Sequence, residues 1–119
     1  MADHNDLGKK GEQLAIDFLL ENNYTILETN YRYLKAEVDI IAQKEDVLVA
    51  IEVKTRTSNY FGNPQDFVNP KKIKLLLSAI DNYVVERDLD VEVRFDIIAI
   101  ITNKKQTKIE HLKDAFLHF

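Results

Sequence analysis

The sequence predicts an α/β domain, a mixed sheet with helices packed on its faces, and three observations lead there. Two stretches carry apolar residues at intervals of three and four, and five shorter ones are rich in alternating or β-branched residues between polar turns. The order is helix, three strands, helix, two strands. A helix between the third and fourth strands permits a right-handed crossover and a parallel pair at that point. At 119 residues the chain is expected to be one domain, 1–119, with a single proper core.

The first helix is predicted over roughly Asn5 to Asn22, where Leu7, Leu14, Ala15, Phe18 and Leu19 fall at helical spacing and Asp3 or Asn5 offers an N-cap. Gly8 and Gly11 are two of only three glycines in the chain. Each costs a helix interior about 1 kcal/mol relative to alanine, which suggests close backbone approach there. Tyr24 to Asn30 alternates as an edge strand after the Asn22-Asn23 break. Tyr31 to Lys35 reads as a connection that mixes aromatic and basic side chains, either packed tyrosines beside a surface Arg32 or a surface that stacks on bases.

The central hairpin lies within Ala36 to Arg56. Its apolar segments, Val38 to Ala42 and Val47 to Val53, flank the polar Gln43-Lys44-Glu45-Asp46, and the unbroken run Val47 to Ile51 suggests a strand covered on both faces. Thr57 to Asn69 holds Gly62 and Pro64 and reads as a loop, with Gln65 a candidate water or substrate contact. Asn69 is a good N-cap and Pro70 suits the first position of a second helix running to about Arg87, with Ile73, Leu76, Leu77, Ile80 and Val84 facing the core. Val91 to Thr102 and Lys108 to Leu112 complete the sheet. Arg94 and Asp96 share one side, either as a structural ion pair, the favoured reading, or at the rim of a site; Ala115-Phe116 anchors the end, and His111 and His118 stand isolated.

The hairpin concentrates the chemistry. A two-residue turn at Glu45-Asp46 sets Asp39 opposite Glu52; a turn at Lys44-Glu45 sets Glu37 there and leaves Asp39 diagonal, and an odd loop length sends Asp39 and Glu52 to opposite faces. Glu52 and Lys54 share a face by the two-residue alternation of strands. Two carboxylates about 4 Å apart repel by roughly 4 kcal/mol at an effective dielectric near 20, so they call for a proton, a cation or a lysine. One reading is metal-assisted phosphodiester hydrolysis. Asp39, Glu52 and the Val53 carbonyl hold magnesium, and Lys54 orients or deprotonates a water or steadies the transition state. Glu12 offers a third carboxylate from the first helix, or is an exposed glutamate that favours the helix dipole. The other reading is a solvated hairpin face with Glu-Lys pairs worth roughly 0.2–1 kcal/mol each. Lys71, Lys72 and Lys74 crowd the start of the second helix, where positive charge and free amides together suit a phosphate. Lys71, Lys72, Arg56 and Arg32 are thus the candidate nucleic-acid contacts.

Composition sets limits. A net charge of -4 and a pI near 5.3 argue against a protein that holds nucleic acid through an overall positive field. Without cysteine the chain has no disulfide, thiolate site or cysteine nucleophile. The start MADHNDLGKKGE has no apolar signal core, and no apolar run approaches the roughly 20 residues of a membrane span, so no membrane association and a cytoplasmic location are expected.

The blocks G-x-x-G-E at Gly8 to Glu12, E-V-D-I-I-A at Glu37 to Ala42, I-E-V-K-T-R at Ile51 to Arg56 and R-F-D at Arg94 to Asp96, with the helix-starting lysines, resemble the YraN-like family of uncharacterised bacterial proteins. That family is similar to Holliday junction resolvases of the PD-(D/E)XK restriction-endonuclease-like superfamily. The resemblance covers nearly the whole chain. It implies an αβββαβ core, dependence on magnesium or manganese, and structure-directed cleavage of DNA by a homodimer with paired sites. Glu12 then matches the acidic residue of the first helix, Asp39 that of the hairpin, and Glu52 with Lys54 the E-x-K pair. Ala36 departs from the family's glycine before Glu37, a small change. A module that binds nucleic acid or assembles, without turnover, is the alternative.

Overall fold

The computed structural model describes residues 4–58 and 69–115, with side chains from Asp6 onward. Helix α1 (His4–Glu21) is followed by strands β1 (Thr25–Tyr33), β2 (Ala36–Lys44) and β3 (Val47–Arg56), helix α2 (Pro70–Glu86), and strands β4 (Glu92–Thr102) and β5 (Thr107–Leu112). The five strands form one sheet in the order β1-β2-β3-β4-β5. Only β3 and β4 are parallel; the other neighbours are antiparallel. This is the mixed α/β sheet expected from the sequence, consistent with a restriction-endonuclease-like core.

Each helix covers one face. Ala15 and Leu19 of α1 pack on Ile40, Ala42, Val49, Ile51, Ile98 and Ile100, whereas Leu76, Ala79, Ile80 and Tyr83 of α2 pack on Val38, Ile41, Leu48 and Ala50. Successive residues of β3 therefore enter opposite cores, which is why its apolar run is unbroken. A fully buried leucine, isoleucine or valine contributes roughly 1.5–3 kcal/mol, so the two cores hold the sheet from both sides.

Several boundaries differ from the expectation. The first helix starts at His4, so Asn5 lies inside it, and Asp3 falls outside the described residues. Strand β1 continues through Tyr33, because Tyr31 and Arg32 pair with Val38 and Glu37. The connection shrinks to Leu34-Lys35, with Leu34 at φ 55° in the left-handed region. Tyr31 packs edge-on against Tyr83 at 5.2 Å and its hydroxyl accepts from Asn82, so burial against α2 draws this stretch into the sheet. Gln65, Phe116 and His118 lie outside the described residues.

The two helical glycines differ. A side-chain carbon at Gly11 would collide with Thr55, so the missing atom lets α1 seat on β3, while at Gly8 nothing lies within 4 Å. Close approach explains one glycine only.

Beside this core lies a buried polar knot. Arg94 donates from Nε and Nη2 to the two oxygens of Asp96 at 2.9 and 3.0 Å, and Nη2 also reaches the Tyr24 hydroxyl at 2.7 Å. His111 Nε2 lies 2.6 Å from Asp96 Oδ2, and the Asp114 amide donates to Oδ1. Burial acts to raise the Asp96 carboxyl, but the hydrogen bonds from His111 and Arg94 outweigh it and hold it below the usual value. Arg94 and Asp96 form the expected ion pair; His111 is not isolated but part of it, and its ring packs against Phe18 and Tyr24. Ala115 follows, its amide bonded to the Phe95 carbonyl at 2.8 Å.

Candidate functional site

The hairpin turn falls at Glu45-Asp46, with Lys44 paired to Val47 and Glu45 at φ 56°. The β2–β3 ladder then runs to Ile40↔Ile51 and stops. One more rung would bring Asp39 level with Glu52. On its other side Asp39 also lacks a ladder partner: the β1–β2 pairs are Thr29↔Ile40 and Tyr31↔Val38, and the intervening Asn30 has φ 53°. Side-chain alternation breaks here too, since Val38 and Ile41 face α2 while Ile40 faces α1. Asp39 thus sits at a local irregularity of β2, and its Oδ2 accepts the Val53 amide at 2.8 Å, replacing a ladder bond by a side-chain one.

This position exposes Asp39 to two cavities. One, of about 520 Å³, is bounded by Leu7, Gly8 and Glu12 of α1 and by Val53 to Thr57. The other, of about 390 Å³, lies under the start of α2, with Lys35, Glu37, Glu52, Lys71 and Lys72 on its walls. Glu52 is buried on the α2 side, where its Oε1 meets Lys72 Nζ at 2.7 Å and Lys54 Nζ at 3.6 Å. Glu12 comes from the opposite helix, and its Oε1 accepts from Asn30 Nδ2 at 2.9 Å.

Electrostatics ties the three acids together. Asp39 is pushed up to about 7, first by burial and then by the charge of Glu52, with Glu12 adding to it; the Val53 amide and Lys72 act in the opposite direction. A carboxyl so placed keeps its proton near neutrality unless a cation takes its place. Among the described residues no group of three Asp, Glu or His side chains is placed to hold a metal ion as they stand. Glu12, Asp39 and Glu52 are electrostatic neighbours, each engaged by a protein donor.

The basic candidates divide. Lys72 is inside the site, on Glu52, and Lys71 is exposed on the wall of the same cavity. Arg56 borders the α1-side cavity and donates to the Thr55 carbonyl at 2.9 Å. Arg32 is on the outer strand, paired with Glu37 at 2.7 Å. Sequence reasoning missed Asn30, which positions Glu12, and the contact of Lys72 with Glu52. The first carries no local signal; the second was hinted at by lysines where the helix dipole disfavours them.

The fold is a mixed α/β sheet consistent with a restriction-endonuclease-like core, and an acidic, lysine-flanked cleft lies beside its central hairpin. The chain belongs to the uncharacterised protein family UPF0102, which it matches over residues 11–100. It is 64% identical to a UPF0102 protein of Christiangramia forsetii and 60% to one of Flavobacterium psychrophilum, each over the whole length of both chains. A UPF0102 protein of Bacteroides thetaiotaomicron is 45% identical over 98% of this chain and 96% of its own. Among the described residues, no helix is long and apolar enough to cross a membrane.

Proposed function

We propose that this protein is a magnesium-dependent endonuclease that hydrolyses phosphodiester bonds in DNA, with branched or Holliday-junction-like DNA as the substrate class its family resemblance favours. The observation that carries the reading is Asp39, a carboxyl held protonated toward neutrality by burial and by Glu52 and Glu12, on an irregular strand between two open cavities. Such crowding is unfavourable for the fold alone and suits a site that binds a cation.

The donor chemistry fits. Magnesium takes one or two carboxylates and keeps several waters, so Asp39 and Glu52 suffice, with the Val53 carbonyl and Glu12 as further oxygen donors. When bound, the ion acidifies a coordinated water and offsets charge on the phosphate. Lys54, whose ammonium stands 3.6 Å from Glu52, would orient the attacking water or steady the charge that builds up on the phosphate oxygens. Arg32, Arg56 and Lys71 are the proposed contacts to the nucleic acid backbone. A homodimer would pair two sites for cleavage of two strands.

The test is nicking of branched, flapped and single-stranded DNA in magnesium or manganese. Cleavage is expected in the wild type and absent in Glu52→Ala and Lys54→Ala. No cleavage of any of these substrates in either metal would overturn the proposal. One observation favours the second reading, a nucleic-acid-binding or assembly module without turnover: Glu52 is already neutralised by Lys72 and Lys54. That reading predicts salt-sensitive DNA affinity without turnover, weakened by Lys71→Ala combined with Lys72→Ala.

A further inference from the structure

Glu52 is nearly buried, with a side chain 7% exposed, so its charge needs a partner at all times. The nearer partner is not Lys54, two residues along its own strand, but Lys72, which reaches across from α2 to 2.7 Å. The backbone of Lys72 is fixed, because its amide donates to the Asn69 side chain that caps the helix. Its side chain is one-third exposed and carries its charge on a rotatable four-carbon stem. The cavity into which that stem can swing already holds Lys35 and Lys71 on its walls.

We infer that Lys72 is the standing counter-ion of Glu52, that an arriving divalent cation displaces it, and that the released ammonium then binds the substrate phosphate from the first turn of α2. This rests on the metal-dependent reading above. A divalent cation and an ammonium on the same carboxylate oxygen repel each other, and the ammonium is the one with a stem that can leave. Leaving takes it toward Lys35 and the exposed Lys71 on the cavity wall, where lysines crowded at a helix start are unfavourable until an anion joins them. One side chain then serves both states, neutralising Glu52 before the cation arrives and the phosphate afterwards. Lys72 acts as a positioning residue, coupling cation binding to substrate binding.

The experiment uses the full chain and two readouts other than cleavage. In calorimetric titrations with magnesium, Lys72→Met, which keeps the apolar stem, should tighten binding about tenfold, the equivalent of one hydrogen bond to a charged group. Lys71→Met, the same change in net charge one residue away, should alter it about threefold at most. In the second readout, affinity for branched DNA is followed against salt, with and without calcium. The logarithmic slope of the wild type should steepen by about one when calcium is present, as one more phosphate is neutralised, and Lys72→Met should abolish that increment. Lys72→Gln is read in parallel, so a folding defect in one variant leaves the other decisive. Unchanged magnesium affinity in both variants overturns the inference alone. A slope reduced equally with and without calcium does so too, since Lys72 would then be a permanent phosphate contact. Absence of magnesium binding in every protein, wild type included, overturns the metal reading and this inference with it.

Discussion

Asparagine at position 39 should make the chelator-treated protein more stable at alkaline pH, the reverse of what loss of a hydrogen-bonded carboxylate normally does. The Asp39 carboxyl is raised from 3.8 to about 7, by burial first and by Glu52 second. Between those two values the folded chain holds a proton that the unfolded chain has released, so stability falls as pH rises, by about 1.4 kcal/mol per unit, and levels off above about pH 7. Asp39→Asn has no such loss. Roughly two of the affected units lie above pH 5, so the variant should gain about 3 kcal/mol on the wild type between about pH 5 and about pH 8. Its amide oxygen can still accept the Val53 N–H, and its NH₂ group can face Glu52 without repulsion. Urea unfolding at the two pH values measures the difference. A gap that does not change with pH, or a wild type that gains on the variant as pH rises, would refute the burial of the Asp39 carboxyl beside Glu52 and Glu12.

Gly11→Ala should destabilise the fold by about 1–3 kcal/mol through collision with Thr55, whereas Gly8→Ala, with open space around it, should stabilise it by up to about 1 kcal/mol; thermal unfolding of the pair reads opposite signs. Asp96→Asn should lower stability near neutrality by about 3 kcal/mol, since it leaves Arg94 without its charged partner in a buried setting. Because the Asp96 carboxyl is held below its usual value, its contribution is present above about pH 4 and is lost as pH falls through its own lower value, so the difference between variant and wild type should narrow in acid.

The hairpin could be read from the sequence because its evidence is local. The polar block Gln43 to Asp46 locates the turn but leaves its register between Lys44-Glu45 and Glu45-Asp46, which the pairing of Lys44 with Val47 decides, and period-two alternation assigns Val49 and Ile51 to one core and Leu48 and Ala50 to the other. The break at Asp39 could not be read, because it depends on the left-handed backbone of Asn30 in another strand and on an amide donated by β3. Lys72 was visible as a misplaced lysine, but its target was not, since only the seating of α2 over the sheet brings it to Glu52. His111 looked solitary for the same reason: its partner Asp96 is on the neighbouring strand, fifteen residues away. The mixture of aromatic and basic residues from Tyr31 reads locally as a connection, but pairing with β2 and burial of Tyr31 against Tyr83 carry the strand through Tyr33.

The early end of the ladder between β2 and β3 has a mechanical consequence. Beyond Ile40 and Ile51 the ladder gives way to a side-chain bridge from Asp39 to the Val53 amide. Each strand is braced mainly by a different helix, β3 by α1 and β2 by α2. The separation of Asp39 and Glu52 is therefore governed by how two helices rest on opposite sides of the sheet. Substitutions beneath either helix, far from any acid, can widen or narrow that gap and so retune the cleft without touching it.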